Sequence, residues 1–187
     1  MAENPFSTKF WIPGVIPFLF PERDESIDTL LGKMYRHPIC QIVGPHGSGK
    51  STLLLALLKQ HKKNGDHQDK DNVRYLIFND QHRRFPRSTA FLGNPFLFVD
   101  GFEQLPFRDR LRLLSRSKRL VFTTHHPVWF VPILFRTKPQ LSVFVQIVQQ
   151  MLSDPPEESV LHAVYVRSRG NFRNAFFELY DRWEHSQ

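Results

Sequence analysis

Cysteine is all but missing from this chain. Cys40 is the only one among 187 residues, so no internal disulfide can form. Stability must come from burial, and a chain of this length can bury about 70% of the surface it exposes when unfolded. A lone cysteine in an apolar run reads as a buried, inert thiol, and a reducing compartment suits it best. A long unbroken apolar run is missing too. The most apolar stretch, Phe10 to Pro21, is interrupted by Pro13 and Pro17 and is too short to cross a bilayer, so no membrane span is expected. It reads as an irregular arm packed on the domain, with a docking segment for a partner as the alternative. The start, Met1-Ala2-Glu3-Asn4-Pro5, lacks the basic opening and apolar run of a signal peptide, and a cytoplasmic location is the expectation. There is no acidic excess: 25 basic residues outnumber 18 acidic ones, for a net charge of +7. Such a balance permits contact with nucleic acid or an acidic surface without requiring it. Internal repeats and low-complexity tracts are lacking, which excludes solenoid and fibrous architectures.

What is present is an alternation of short apolar runs and helical patterns. Ile27, Leu30, Leu31 and Met34 share helical spacing and predict a helix over 22–35, with Glu22, Asp24 and Glu25 at its start. Pro38 ends it. Ile39 to Val43 reads as a buried strand, followed by a glycine-rich loop and a leucine-rich helix over 51–62. Residues 64–72 are polar and read as a surface loop. Further strands are expected at 73–78, 96–99 and 120–123. A basic segment at 79–94 shows no period. A helix is expected at 107–117, and it carries Arg108, Arg110, Arg112 and Arg116. The C-terminal part predicts helices at 140–152 and 157–168, although Val164-Tyr165-Val166 leaves a strand open there. A last helix follows Asn171, a good N-cap, with Phe172, Ala175, Phe176 and Leu179 on one face.

The loop between the first strand and its helix carries the pattern G-x-x-x-x-G-K-[ST]: Gly44, Pro45, His46, Gly47, Ser48, Gly49, Lys50, Ser51, with Thr52 next. The glycines allow turns that side chains forbid. Backbone N–H groups can then face phosphate oxygens at a helix N-terminus. Lys50 supplies a compact positive charge for the β- and γ-phosphates, and the Ser51 hydroxyl is a hard oxygen ligand for Mg²⁺. A strand before and a helix after are the setting this mechanism needs. The pattern therefore points to a nucleoside triphosphate, ATP with Mg²⁺, held by residues 44–52.

Such a site needs a carboxylate at the end of a neighbouring apolar strand. Phe96-Leu97-Phe98-Val99-Asp100 offers Asp100 as the second metal ligand, against the plainer reading of a turn cap before Gly101. Glu103, three residues on, is the candidate to orient or activate water, against a solvated loop glutamate. With these residues the chain resembles P-loop NTPases of the additional-strand branch, similar to AAA-type and STAND-type ATPases. The AAA pattern places a glutamate directly after the aspartate. Here that place is Gly101, and Asp100-Gly101-Phe102-Glu103 is closer to the D-G-x-[DE] form of STAND proteins. The departure bears on hydrolysis rate more than on binding.

The resemblance implies a polar residue at the end of the strand after the acidic one, near the γ-phosphate. Thr124 or Thr123 could serve. His125 and His126 follow directly, but neighbours on a strand point apart and rarely ligate one ion together. The resemblance also implies an arginine at the start of a C-terminal helix, matched by Arg173, whose alternative is a solvated cation. An arginine from an adjacent subunit is often needed for hydrolysis in this class, with Arg136, Arg83, Arg84 and Arg87 as candidates. Oligomerisation stays open.

The expected fold is α/β, a three-layer sandwich with a mostly parallel P-loop NTPase sheet and a small C-terminal helical appendage. The expected parts are an N-terminal arm and helix packed on the core (1–38), the P-loop NTPase core (39–139) and a C-terminal helical region (140–187). The functional expectation is a Mg-dependent ATPase or an ATP-driven switch acting on a partner protein. The alternatives are a P-loop kinase for a small molecule and a nucleic-acid-associated ATPase. The last is not favoured, because Arg108, Arg110, Arg112, Arg116, Lys118 and Arg119 do not keep to one helical face.

Overall fold

The computed structural model describes residues 3–21, 24–64, 72–83 and 96–185. In chain order these form α1 (Thr8–Trp11), α2 (Ile27–Arg36), β1 (Ile39–Val43), α3 (Lys50–Asn64), β2 (Val73–Ile77), β3 (Phe96–Asp100), a 3₁₀ turn (Phe102–Gln104), α4 (Phe107–Arg116), β4 (Arg119–Thr124), β5 (Ile133–Arg136), α5 (Leu141–Met151), α6 (Glu158–Arg167) and α7 (Phe172–His185). The described strands form one all-parallel sheet in the order β2-β3-β4-β1-β5, with helices on both faces.

Parallel central strands are buried on both faces, so their sequences are apolar throughout. Phe96 to Val99 and Leu120 to Phe122 obey this rule, and alternation sorts their side chains. Cys40, Ile42, Phe96, Phe98 and Val121 pack with Leu53, Leu54, Leu57 and Leu58 of α3 and with Leu30, Leu31 and Met34 of α2. Leu97, Val99, Leu120 and Phe122 face the other way, onto Leu113 of α4 together with Phe102 and Leu105. A third cluster joins α5, α6 and α7 around Phe144, Val148, Leu161 and Phe176. The arm belongs partly to this cluster. Phe6 is buried in it, Trp11 stacks on Phe176 with ring centroids 5.4 Å apart, and Phe18 sits edge-on to Phe135 of β5 at 5.9 Å.

Some boundaries differ from the sequence expectation. Helix α2 begins at Ile27, because the Ser26 hydroxyl accepts the Thr29 N–H at 3.1 Å and caps it. Glu25 lies ahead of the helix and pairs with Lys33 at 2.8 Å, and Glu22 is outside the described residues. The helix expected at 157–168 is present over Glu158–Arg167, and the alternative strand at Val164-Tyr165-Val166 does not form. Strand β5 was not anticipated at all. It has four residues, follows Pro132 and lies at the sheet edge, where a preceding proline does no harm.

The connection from β4 to β5 is also unusual. Parallel strands are generally joined through a helix. Here residues 125–132 return as irregular chain, held by Gln41 in the middle of β1. Its side-chain amide donates to Val128 O at 2.8 Å and Val131 O at 2.7 Å, and its carbonyl accepts the Val128 N–H at 2.9 Å. Gln41 is fully buried, and these bonds offset the cost of placing an amide in the core.

Among the described residues no helix is long and apolar enough to cross a membrane. Cys40 is fully buried, and burial pushes its thiol up to about 12. A disulfide reagent such as DTNB should therefore leave the native protein unmodified at pH 8 and label one thiol after denaturation. Prompt labelling of the folded protein would contradict this packing.

Candidate functional site

Strand β1 delivers the chain into the loop at Gly44, and α3 begins at Lys50. Gly47 and Gly49 have φ values of +68° and +87°, which only glycine adopts without strain. Three outside elements brace the loop. Thr137, just after β5, donates its N–H to Val43 O at 2.8 Å, and its hydroxyl lies 2.6 Å from the Ser48 hydroxyl. Asn171 and Phe172, at the start of α7, lean on Gly47, whose carbonyl accepts the Phe172 N–H at 3.3 Å. Phe18 of the arm lies against Gly49. Asn171 Oδ1 also accepts the N–H groups of Arg173 and Asn174, at 3.1 and 3.3 Å, so the expected cap is present.

Lys50 is almost buried. Its ammonium donates to Gly44 O at 2.8 Å and Pro45 O at 2.7 Å. Burial lowers its pKa to about 8, the Glu103 and Asp100 charges act in the opposite sense, and Arg173 lowers it further.

Sheet register places the acidic residue. Strands β3 and β4 pair Val99 with Phe122, so the next residues along, Asp100 and Thr123, are neighbours. The Thr123 hydroxyl donates to Asp100 Oδ1 at 2.6 Å and accepts the Gly101 N–H at 2.9 Å. The Tyr75 hydroxyl approaches Oδ2 at 3.5 Å, and burial, followed by the Asp100 charge, raises its pKa. Thr124 sits differently. It shares the strand face of Phe122 and donates its hydroxyl to His126 O at 2.9 Å. Of the two threonines considered, Thr123 is the one beside Asp100.

Gly101 then turns with φ +80°, and a side chain there would overlap Phe78 O. The turn leads into the 3₁₀ segment and carries Glu103 back toward the loop. Arg110 of α4 secures that segment by donating to Glu103 O at 2.7 Å and Leu105 O at 2.6 Å. One arginine of the basic helix is thus structural, while Arg108, Arg116, Lys118 and Arg119 lie at the surface. Glu103 Oε1 lies 2.8 Å from His125 Nε2, and Glu103 Oε2 is buried with no hydrogen-bond partner among the described residues.

His125 is the residue that sequence reasoning passed over. Its Nδ1 lies 3.2 Å from Gly44 O and 3.3 Å from Lys50 Nζ, and its ring packs on His46 at 3.7 Å between centroids. Burial lowers its pKa first, then the Lys50 charge, against the opposing pull of Glu103. The signal was its place one residue past β4, at the edge where the loop begins.

These parts border one cavity of about 470 Å³. His46 to Thr52, Asp100, Glu103, Thr123, His125 and Arg173 line its polar side. Trp11, Ile16, Phe18 and Leu19 of the arm, with Val143, Ile147 and Phe176, line its apolar side. Gly44 and Pro45 border a second cleft together with His46, His126, Arg136 and Lys138, and Glu103 and His125 form part of both linings. Arg83 pairs with Asp80, and Arg84 and Arg87 lie outside the described residues.

No group of three or more histidine, cysteine, aspartate or glutamate side chains among the described residues could hold a metal. Ser51 and Asp100 instead offer two hard oxygens on one cavity, a donor set that suits Mg²⁺ arriving with phosphate oxygens and water. No protein-family model matches the chain, and no curated protein matches it.

Gly47 couples the loop to α7, so Gly47→Ala should be costly twice over. The φ is unsuitable, and the new methyl would overlap Asn171 Oδ1. Urea unfolding should show a loss of about 1–3 kcal/mol. An unchanged midpoint would mean that α7 does not rest on the loop.

Proposed function

We propose that this protein binds a nucleoside triphosphate, ATP with Mg²⁺, and acts as a slow ATPase or ATP-driven switch on a partner protein. One observation carries the reading. Residues 46–51 of the glycine-rich loop, Lys50 and Ser51 among them, line a single cavity with Asp100 and Glu103, up to 57 positions away in sequence, at the carboxyl edge of a parallel sheet. Such edges are where open α/β sheets take their ligands.

The strand order supports the reading further. The acidic strand β3 is one removed from β1 rather than directly beside it, because β4 lies between them, and an added strand is in keeping with the additional-strand branch that the chain resembles. Glutamate placement is the second support. Gly101 displaces it from the usual position, yet the left-handed turn returns Glu103 to the same cavity. The third is the cavity's composition, apolar where the arm meets α5 and α7 and polar at the loop. This suits a flat base at one end and phosphates at the other.

Roles follow from the contacts. Gly47 to Ser51 would present N–H groups to phosphate oxygens, strengthened by the N-terminus of α3. Lys50 would turn its ammonium from the loop carbonyls to the β- and γ-phosphates. Arg173 adds a second positive charge from the α7 side. Mg²⁺, when bound, neutralises charge on the phosphates, and Ser51 and Asp100 are the residues to hold it. Thr123 keeps the Asp100 carboxylate aimed. Glu103 is the acceptor for a proton of water.

Two substitutions test this. Lys50→Ala should weaken ATP binding about a hundredfold or more in calorimetry, since charge-assisted bonds to phosphate are lost, while the fold persists. Retained affinity would refute the loop assignment. Glu103→Gln should bind ATP within a few-fold of the parent and turn it over about a hundredfold more slowly. Equal turnover would move water activation to another group.

A further inference from the structure

Glu103 is held at one oxygen only. His125 Nε2 lies 2.8 Å from Oε1, while Oε2 is buried and lacks a hydrogen-bond partner among the described residues. A carboxylate accepts, so Nε2 must carry the proton of that contact. The other ring nitrogen has two neighbours, Gly44 O at 3.2 Å and Lys50 Nζ at 3.3 Å. Gly44 O already accepts from Lys50 at 2.8 Å. A neutral imidazole with its proton on Nε2 fits both ring nitrogens: Nδ1 faces the ammonium and Nε2–H serves Glu103 Oε1. The packing of His46 on the ring, with the chain on both sides of it tied to the sheet, leaves that ring little freedom to turn.

We propose that His125 is the positioning residue of this site, fixing the Glu103 carboxylate through Oε1 so that the carboxylate stays aimed into the cavity as the proton acceptor. The inference rests on the ATPase reading above. In hydrolysis the water oxygen bonds to the γ-phosphorus, the bond from that phosphorus to the β,γ-bridging oxygen breaks with its electron pair leaving on ADP, and the water's proton passes to the Glu103 carboxylate. An unrestrained glutamate would reach that geometry only part of the time. His125 removes the rotation of the carboxylate without touching the reacting atoms, so it should act on turnover and leave binding alone.

Two near-isosteres separate positioning from mere filling of space. Glutamine can place its side-chain N–H near the Nε2 position, and asparagine only near Nδ1. With MgATP as substrate, H125N should lower kcat about tenfold or more with KM within about threefold, and H125Q should stay within about threefold of the parent in both. ¹⁵N-histidine spectra of the parent without nucleotide should show the Nε2–H tautomer for His125, and E103Q should shift its Nε2 signal while leaving Nδ1 nearly unchanged. These spectra do not depend on activity or on either His125 variant folding. Equal kcat for H125N and H125Q would overturn the inference, as would a proton on Nδ1 in the spectra. A parent protein that binds MgATP yet shows no turnover would overturn it alone, leaving the binding reading intact. A parent that does not bind MgATP would overturn both.

Discussion

The architecture depends on parallel pairing. Because the described strands run one way, every chain segment that leaves the sheet at its carboxyl end leaves at the same edge. The loop follows β1, the Gly101 turn follows β3, His125 follows β4 and Thr137 follows β5. Register then converts a shared edge into contact. Pairing of Val99 with Phe122 sets Asp100 beside Thr123, and pairing of Val43 with Thr124 brings the start of the loop within a 3.2 Å bond of Thr124 O. No folded loop has to search for these neighbours, since the ladders supply them.

Around that edge the glycine-rich loop is hemmed in on three sides. Thr137 closes on Gly44 and Ser48, Asn171 and Phe172 on Gly47, and Phe18 on Gly49. Each glycine of the loop therefore answers to a different part of the chain. Substituting one is a local event in sequence and a distant one in structure. The apolar clusters match this arrangement, because the arm and the C-terminal helices bury Phe6, Phe144 and Phe176 together. The arm reaches β5 through Phe18 and α7 through Trp11, so it spans the cavity it helps to line.

Much of this was legible in the residues alone. Apolar runs of four or five residues gave β1 and β3 within a residue, because strands buried on both faces tolerate little else. The loop announced itself through glycine spacing and Lys50. Asp100 was legible as the polar end of an apolar strand. What failed to show depends on neighbours. Strand β5 is too short to carry a period of its own and exists because β1 offers it a free edge. The choice between Thr123 and Thr124 turns on which face of β4 meets α3, which no local pattern states. His125 drew notice only as half of a histidine pair, and its contacts to Glu103, Lys50 and His46 come from three separate elements.

Gln41 has a reach that its position in β1 conceals. By gripping the backbone at Val128 and Val131 it sets a fixed length of chain between the end of β4 and the middle of β1. A helical crossover could absorb an extra residue as a fraction of a turn, whereas this short strap has no slack. Its near end is His125. The buried amide thus works as a gauge, metering out chain so that one imidazole arrives at the loop in register, while Trp129 and Phe130 are left outside as the unused remainder of the span.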